Sequence, residues 1–546
     1  MSKPKTNGSN SGPHDFDAVV IGAGFAGLYT LYKLRDEMGL KVRVYDAADG
    51  VGGTWYWNRY PGARCDSESF YYSYSFSPEL EQEWEWTSKY PEQPEILRYL
   101  NHVADRFDLR RDIQLGTRIT RAVYDETRGC WQVRTEAGEE ISTHFLISAV
   151  GCLSSTNLPD FEGLDQFQGE WYHTGLWPHE PVDFTGKRVG LIGTGSTGIQ
   201  ATPVIAEQAD HLTVFQRTPN YSLPARNARL TPEEQTEVKA SYRDLRRRLR
   251  ESRGGFPYTP TGKSAEEFTP EEQQALCEDL WEKGGFRFLF GSFKDLMTNE
   301  EANEVVAEFV RGKIREIVKD PATAELLTPR DHPYGSKRPP IDTGYYEAYN
   351  RENVTLVDVR SAPIAEITPH GLRLSDGGEY ELDIIVFATG FDAMTGSLQK
   401  IDIRGKAGRP LGEKWEEGPR TYLGLQSAGF PNLFIITGPG SPSVLTNMPV
   451  AIEQNVDWIA DCIEYMRTHG MTRIEAKADA EEEWVDHVNE MASETLYDQA
   501  NSWYVGANIP GKKRIFMPYV GGMIEYRKHC NASADKGYEG FELGGA

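Results

Sequence analysis

The sequence is poor in cysteine and contains no pair of neighbouring cysteines. Its 546 residues include six cysteines, at positions 65, 130, 152, 277, 462 and 530. The gaps between them are too wide for a Cys-x-x-Cys redox motif or a zinc-binding set. Scattered single cysteines suit a reducing compartment, so we expect a cytoplasmic protein without a metal site.

Long apolar runs are also missing. No stretch of 18 or more apolar residues occurs, so we expect no membrane-spanning helix and no membrane partner. The first ten residues are polar and lack the apolar core of a secretion signal. We therefore expect residues 1–14 to form a disordered tail.

Positive charge is in short supply. Lysine and arginine number 58 against 82 aspartates and glutamates, which gives a formal net charge of −24. An acidic surface repels phosphate backbones and argues against a nucleic-acid partner. An anionic cofactor must therefore be bound by basic groups that act locally.

Glycine, in contrast, is placed in two motifs of the same kind. The first, Gly22-Ala23-Gly24-Phe25-Ala26-Gly27, follows an apolar strand at 16–21 and precedes a helical pattern at 28–35. A second strand at 42–45 then ends at Asp46. This unit predicts a dinucleotide site in which the glycines let a pyrophosphate approach the helix N-terminus. Asp46 is suited to ribose hydroxyls and would repel a 2′-phosphate, which favours FAD.

The second motif, Gly193-Thr194-Gly195-Ser196-Thr197-Gly198, lies between a predicted strand at 188–192 and a predicted helix at 199–208. The next strand, at 211–215, leads to Arg217 and Thr218, where the first unit has its aspartate. These side chains suit a 2′-phosphate, so the second site favours NADPH over NADH. Two such sites imply that one cofactor reduces the other. A pyridine-nucleotide disulfide reductase is rejected because it needs a redox cysteine pair.

Two further apolar strands, at 145–151 and 383–390, end in glycine and bracket the second motif. We interpret them as the crossings between domains. The predicted fold is α/β, with two Rossmann-like dinucleotide-binding domains, the NADPH domain inserted in the FAD domain, and a helical insertion. The expected boundaries are 15–152 and 388–546 for the FAD-binding domain, 153–225 and 336–387 for the NADPH-binding domain, and 226–335 for the helical subdomain.

The helical subdomain is predicted from capping boxes. Thr231 and Thr269 each precede a proline and stand three residues before a glutamate. Six arginines between 243 and 253 also lie there, and we expect a solvated helix face from them.

Two segments between and beyond these units carry unusual combinations of residues. Gly52 to Asp66 joins paired glycines to aromatic residues that could wall a flavin, and it ends on a carboxylate that needs a cationic partner. Lys337 and Arg338 supply candidate partners, one facing the 2′-phosphate and the other the active site. The segment with Phe167, Gly169, His173 and Trp177, followed by a proline, lies between the two glycine motifs.

On these residues the chain resembles the type I Baeyer–Villiger monooxygenases. The segment from Phe167 to Trp177 fits their Phe-x-Gly-x-x-x-His-x-x-x-Trp fingerprint, and 52–66 fits their second signature. The stretch 501–510 is similar to the phenylacetone, steroid and polycyclic-ketone branch. The resemblance implies a monomeric, NADPH-dependent flavoprotein that oxidises aryl, bulky cyclic or steroidal ketones to esters or lactones with dioxygen through a peroxyflavin. Sulfoxidation is a possible side activity.

The resemblance also implies roles for individual residues. Arg338 matches the active-site arginine and Asp66 the acid that orients it, while His173 matches a histidine that couples domains without touching substrate. Pro339 and Pro340 depart from many relatives and stiffen the segment after Arg338.

We expect each ligand of the site to be bound by its own group of residues. The FAD group is Gly22, Gly24, Phe25, Ala26, Gly27, Asp46, Gly53, Thr54, Trp55, Asp66, Tyr72, Ile119 and Met448. The NADP group is Arg64, Thr194, Gly195, Ser196, Thr197, Gly198, Gln200, Arg217, Thr218, Lys337, Arg338 and Trp503. The substrate group is Leu153, Ser441, Ser443, Leu445 and Met448.

Two other interpretations stay open on the residues alone. One is a flavin monooxygenase acting on amines or sulfides, and the other is a nucleotide-sensing protein without catalysis.

Overall fold

A computed structural model describes residues 14–545. The strands are β1 (Phe16–Ile21), β2 (Val42–Tyr45), β3 (Ile113–Gln114), β4 (Ile119–Asp125), β5 (Cys130–Thr135), β6 (Glu140–Ser148), β7 (Glu170–His173), β8 (Arg188–Ile192), β9 (His211–Gln216), β10 (Leu223–Pro224), β11 (Ile341–Asp342), β12 (Val354–Asp358), β13 (Ile364–Thr368), β14 (Gly371–Leu374), β15 (Glu379–Glu381), β16 (Ile384–Phe387), β17 (Asp402–Arg404), β18 (Leu433–Ile435), β19 (Arg473–Ala476) and β20 (Phe541–Gly544).

The helices follow the same order along the chain. They are α1 (Phe25–Leu31), α2 (Thr54–Trp57), α3 (Pro78–Glu83), α4 (Gln93–Arg106), α5 (Ser196–Gln208), α6 (Pro232–Arg250), α7 (Pro270–Lys283), α8 (Arg287–Gly291), α9 (Glu300–Ile317), α10 (Pro321–Leu327), α11 (Tyr345–Ala348), α12 (Gly396–Gln399), α13 (Leu411–Lys414), α14 (Met448–Thr468), α15 (Ala478–Ser493) and α16 (Gly522–Asp535).

Two sheets position the site. The first has eight strands in the order β17-β4-β5-β6-β1-β2-β3, with β18 also paired to β6. The second has five strands in the order β12-β9-β8-β16-β7, and all of its pairs are parallel. β1 and β8 each have four consecutive buried residues, as expected for parallel strands covered on both faces.

The second sheet is inserted in the first. Strands of the first sheet come from both sides of the second sheet in sequence, β1 to β6 before it and β17 and β18 after it. The two connecting segments lie side by side, because the Asn157 N–H donates to the Gly390 carbonyl at 3.0 Å and the Asp392 N–H to the Ser155 carbonyl at 2.7 Å. The predicted fold class, two Rossmann-like domains with one inserted in the other, is confirmed. The exact residue boundaries of the domains stay predictions.

The helical insertion contains α6 to α10. Both predicted capping boxes form, at Thr231 with Glu234 and at Thr269 with Glu272. One expectation for this region is wrong. Arg246 does not belong to a solvated face: it is buried and donates to Glu81, at 2.6 Å, and to Ser73, because α6 packs against the segment around α3.

Two smaller differences concern the N-terminal region. The predicted helix at 28–35 begins earlier, at Phe25, and changes at Tyr32 to a π-helical turn that ends at Glu37. Most of the predicted tail, residues 1–13, lies outside the described residues, whereas His14 is described and stacks on His144.

Within residues 14–545, no helix is long and apolar enough to cross a membrane. The same residues contain no group of three or more histidine, cysteine or acidic side chains that could hold a metal ion.

Candidate active site

One large cavity, about 1600 Å³ in volume, opens between the two sheets. Its wall includes residues that directly follow β1, β2, β8 and β9, namely Gly22, Asp46, Gly193 and Arg217. Ligands of open α/β sheets bind at the carboxyl ends of parallel strands, so the cavity lies where both dinucleotide sites were predicted.

The first glycine loop has the shape that a pyrophosphate requires. The helix α1 begins without any side-chain cap, which leaves backbone N–H groups free to face an anion. A Cβ on Gly27 would lie 1.8 Å from the Gly22 carbonyl oxygen, so this glycine allows the helix to pack on the turn and does not itself reach the cavity. Gly22, Gly24, Phe25 and Ala26 do line the cavity.

Asp46 lines the cavity directly after β2. Its carboxylate accepts N–H groups from Ala23 at 2.6 Å and Ala48 at 2.8 Å, which fixes its orientation. Burial raises the pKa of Asp46, and these two hydrogen bonds oppose the rise. The second lone pairs of its oxygens remain suited to ribose hydroxyls.

The remaining residues predicted for FAD also reach the cavity. The indole N–H of Trp55 donates to the Tyr72 hydroxyl at 3.2 Å, and the two rings pack edge to face. The cavity wall also contains Gly53, Thr54, Asp66, Ile119 and Met448.

The second glycine loop repeats the first. Helix α5 begins at Ser196 without a side-chain cap, and a Cβ on Gly198 would lie 2.1 Å from the Gly193 carbonyl oxygen. A Cβ on Gly195 would meet no protein atom within 4 Å and would point into open space. That space is the room a nucleotide phosphate needs, so the loop fits the group predicted for it. Thr194, Ser196 and Thr197 line the cavity, whereas Gly198 lies beneath the loop.

A basic cluster borders the part of the cavity that contains the second glycine loop. Arg217, Thr218 and Lys337 all line it, as predicted, and Arg360 joins them. Burial lowers the pKa of Lys337; the Asp331 carboxylate opposes this shift, and the positive charges of Arg217 and Arg360 add to it. Arg217, Lys337 and Arg360 therefore form a local basic patch on an acidic chain, and such a patch can bind a doubly charged phosphate.

Arg360 was not predicted from the sequence. Its guanidinium donates to the Arg217 carbonyl and to the Thr218 hydroxyl, both at 3.1 Å, and it pairs with Asp331. It follows β12, the neighbour of β9, so the order of strands in the sheet brings it beside Arg217. From sequence alone, a residue just after β12 cannot be assigned to the phosphate site, because the pairing of β12 with β9 is not known in advance.

Arg338 and Asp66 meet in the wall of the cavity. The Arg338 Nε lies 3.7 Å from Asp66 Oδ2, and its Nη1 donates to the Val444 carbonyl at 3.0 Å. The guanidinium carbon also lies 4.6 Å from the centre of the Phe286 ring. Burial raises the pKa of Asp66, while the Arg338 charge acts against that rise. The partner that the sequence required for Asp66 is therefore the predicted one.

Neither Val444 nor Phe286 was expected beside Arg338. The Val444 contact is made by a backbone carbonyl, which the type of side chain does not reveal. Phe286 belongs to the helical insertion and is distant in sequence. Only the folded arrangement brings them to the guanidinium.

The predicted substrate residues divide into two groups. Leu153 and Met448 line the cavity, together with Val444 and Thr446. Ser441 and Ser443 are buried behind the wall, and their hydroxyls donate to the Gly438 carbonyl and the Met394 sulfur. Leu445 packs in the apolar cluster beside Leu153 and Trp503.

The four fingerprint residues Phe167, Gly169, His173 and Trp177 are not part of the cavity wall, although Gly175 and Leu176 of the same segment line it. The segment holds the connections between domains. His173 is buried, its Nδ1 accepts the Gly175 N–H at 3.0 Å, and its Nε2 lies 3.3 Å from the Thr389 hydroxyl, next to the second crossing. A Cβ on Gly169 would lie 2.3 Å from the Asp383 carbonyl oxygen, so only glycine fits there. Phe167 packs against the cluster around β16, and Trp177 is buried against Tyr172. The predicted structural role of this segment agrees with these contacts.

Two dinucleotide loops that open into one cavity define a flavoprotein reduced by a pyridine nucleotide. The comparisons with known proteins agree. Residues 17–229 match the flavin-binding monooxygenase-like family. A Baeyer–Villiger monooxygenase of Pseudooceanicola batsensis is 48% identical over 528 residues, which are 96% of this chain and 95% of that protein.

Among solved structures, an oxidised steroid monooxygenase bound to NADP superposes with a TM-score of 0.93 at 54% identity, covering 97% of this chain and 100% of that one. A phenazine N-monooxygenase of Lysobacter antibioticus is 45% identical over 97% of both chains. The chain belongs to the Baeyer–Villiger monooxygenases. It is an NADPH-dependent flavoprotein monooxygenase, and its cofactors are FAD and NADPH.

Proposed function

We propose that this enzyme inserts one atom of dioxygen beside the carbonyl of a bulky ketone, aryl, cyclic or steroidal, and releases an ester or a lactone. The observation that carries the proposal is Arg338, which lines the cavity that both glycine loops share and whose guanidinium is held by Asp66 and the Val444 carbonyl. The similarity to a steroid monooxygenase supports the bulky substrate class.

The residues of the cavity fit two cofactors. The free N–H groups of α1 and Asp46 would hold FAD, and those of α5 with Arg217, Thr218, Lys337 and Arg360 would hold NADPH. When bound, NADPH supplies the hydride and FAD the activation of dioxygen.

The role of Arg338 is to stabilise negative charge on oxygen. A guanidinium is always protonated and presents several N–H donors, so it stabilises negative oxygen wherever that charge develops in the cavity. Asp66 and Val444 hold it in place before the reaction, which reduces the reorganisation needed during it.

The wall beside Arg338 excludes water. Cys152, Met394, Val444, Tyr504 and Phe516 form a buried apolar cluster next to the cavity. A dry wall strengthens the electrostatic effect of the guanidinium and limits wasteful release of hydrogen peroxide.

The test is a product analysis with purified enzyme, NADPH and air. Arylpropanones, fused cyclic ketones and steroid ketones are supplied in parallel with amines and sulfides. Ester or lactone from the ketones, at higher kcat/KM than any N-oxide, is the expected result. The second candidate is an N- or S-monooxygenase, which the similarity to a phenazine N-monooxygenase supports. N-oxide as the main product, with no ester from any ketone, would favour this candidate. Sulfoxide alone decides nothing, because we propose sulfoxidation as a side activity.

We also propose that the enzyme is a cytoplasmic monomer. The six cysteines are all free and buried, which fits a reducing compartment. Light scattering on the purified holoenzyme should give about the mass of one 61.5 kDa chain.

A further inference from the structure

Gln200 connects the two dinucleotide domains. It lies on the second turn of α5, the helix that begins at the second glycine loop. Its side chain contacts the loop Tyr60–Asp66, which follows α2 in the FAD domain. The residue is 6% exposed.

Every hydrogen-bonding position of the Gln200 amide is used by protein. Its Oε1 accepts the Tyr60 hydroxyl at 2.8 Å and the Arg64 N–H at 3.3 Å. Its Nε2 donates to Asp66 Oδ1 at 3.1 Å and to the Arg64 carbonyl at 3.2 Å. The partners fix the orientation of the amide, because a backbone N–H can only donate and a backbone carbonyl can only accept.

Gln200 is part of the cavity wall, and the direct contact to NADP predicted for it stays a prediction; the four bonds described above are all to protein. With two donors and two acceptor positions filled, the amide has no hydrogen-bonding capacity left for a cofactor.

The backbone of the same loop lies directly on α5. A Cβ on Gly62 would be 2.4 Å from the Gln200 carbonyl oxygen, and Gly62 has a φ of +77°, which favours glycine. The loop that ends at Asp66 and the helix that begins at the NADP loop therefore form one packed unit.

Asp66 is thus held from two sides, by Gln200 at Oδ1 and by Arg338 at Oδ2. A buried carboxylate without such partners would be costly. We propose that Gln200 is a positioning residue: it fixes Asp66, and through it Arg338, to the helix of the NADP loop, so that the placement of the nicotinamide domain sets the orientation of the guanidinium. This inference rests on the proposed role of Arg338.

The first test uses two substitutions in the holoenzyme. Gln200→Leu removes all four bonds, whereas Gln200→Glu keeps the size and the acceptors for Tyr60 and Arg64 but loses both donors. For both variants we expect the ester formed per NADPH to fall about tenfold, the equivalent of one hydrogen bond to a charged group, with the Kd for NADP⁺ changed less than about twofold.

The matched control is Gln235→Leu. Gln235 is partly buried and, like Gln200, donates across domains to a backbone carbonyl, that of Trp86, but it lies on α6, away from the cavity. Its substitution should leave the ester per NADPH unchanged. If Gln200→Glu behaves like the unmodified enzyme while Gln200→Leu fails, the donor bonds, including the one to Asp66, do not matter and the proposal is overturned. A loss of NADP⁺ affinity as the main effect would instead restore the role of direct cofactor contact.

A double-mutant cycle tests whether Gln200 acts through Asp66. In an Asp66→Ala background, Gln200→Leu should cause no further loss of ester. An equal loss in both backgrounds, as a merely structural role would give, contradicts the proposal.

A second readout separates this inference from the ketone assignment. Without any ketone, hydrogen peroxide released per minute should rise in Gln200→Leu and not in Gln235→Leu. If the unmodified enzyme forms no ester from ketones, the substrate class is wrong, and the peroxide comparison still decides the role of Gln200: an unchanged rate in Gln200→Leu would overturn it.

Discussion

At the scale of single residues, the cavity is governed by a few buried charges. Asp66 and Arg338 neutralise each other beside the glycine loops, and Arg217, Lys337 and Arg360 concentrate positive charge on an otherwise acidic chain. Chemistry and cofactor choice therefore depend on different arginines, and substitutions should separate the two.

Arg338→Ala should leave the anaerobic reduction of the flavin by NADPH within a few-fold of the original rate. Formation of ester should fall by about 100-fold or more, since a preorganised charge is lost from the reacting centre. Stopped-flow reduction and product chromatography measure the two effects. A normal yield of ester from this variant would remove Arg338 from the mechanism.

Arg217→Ala and Arg360→Ala should each weaken NADPH binding by about tenfold, because a charge-assisted contact to the 2′-phosphate is lost. Binding of NADH should change little. Arg330→Ala is the control, since Arg330 is an exposed arginine nearby that pairs with Glu325. Equal weakening of NADPH and NADH would show that neither residue discriminates between them.

At the scale of elements, the two glycine loops were predictable in detail. Their strands are short buried runs, their helices follow at once, and both loops form where the pattern placed them. The π-helical turn after α1 was not predictable, because its residues continue an ordinary helical periodicity. Arg360, Phe286 and the Val444 carbonyl were missed for another reason: their roles depend on the order of strands and on the packing of an insertion, which local sequence does not encode.

The second loop offers a matched pair of substitutions. Gly195→Ala adds a Cβ that meets only open space, so the fold should keep its thermal midpoint while NADP⁺ binding weakens. Gly198→Ala adds one that meets the Gly193 carbonyl, so the protein should be destabilised by about 1–3 kcal/mol. Thermal unfolding and NADP⁺ titration of both variants check this. Unchanged NADP⁺ affinity in Gly195→Ala would contradict the assignment of the open space.

At the scale of the whole molecule, the helical insertion is fastened to the FAD domain by a buried ion pair. Arg246 on α6 is buried, and its Nε lies 2.6 Å from Oε1 of Glu81 on α3, whose side chain is 9% exposed. Replacing one partner of such a pair leaves an unpaired charge in the interior. The stability of the protein is therefore sensitive to a single substitution at this pair.

Arg246→Ala should destabilise the protein by about 3 kcal/mol or more. Arg247→Ala, one position along the same helix, removes an exposed arginine whose partners are Asp244 and Glu251, and it should cost less than about 1 kcal/mol. Urea unfolding followed by tryptophan fluorescence compares the two. Similar losses would mean that the pair does not hold the insertion in place.

The guanidinium of Arg338 touches the Asp66 carboxylate near the start of the chain, an aromatic ring from the middle and a carbonyl near the end. Such a centre is not modular. Neither a separately expressed flavin fragment nor a nicotinamide fragment would inherit a working oxygenation site, and splitting the gene at any point between positions 66 and 444 would yield pieces that regain activity only by reassembling.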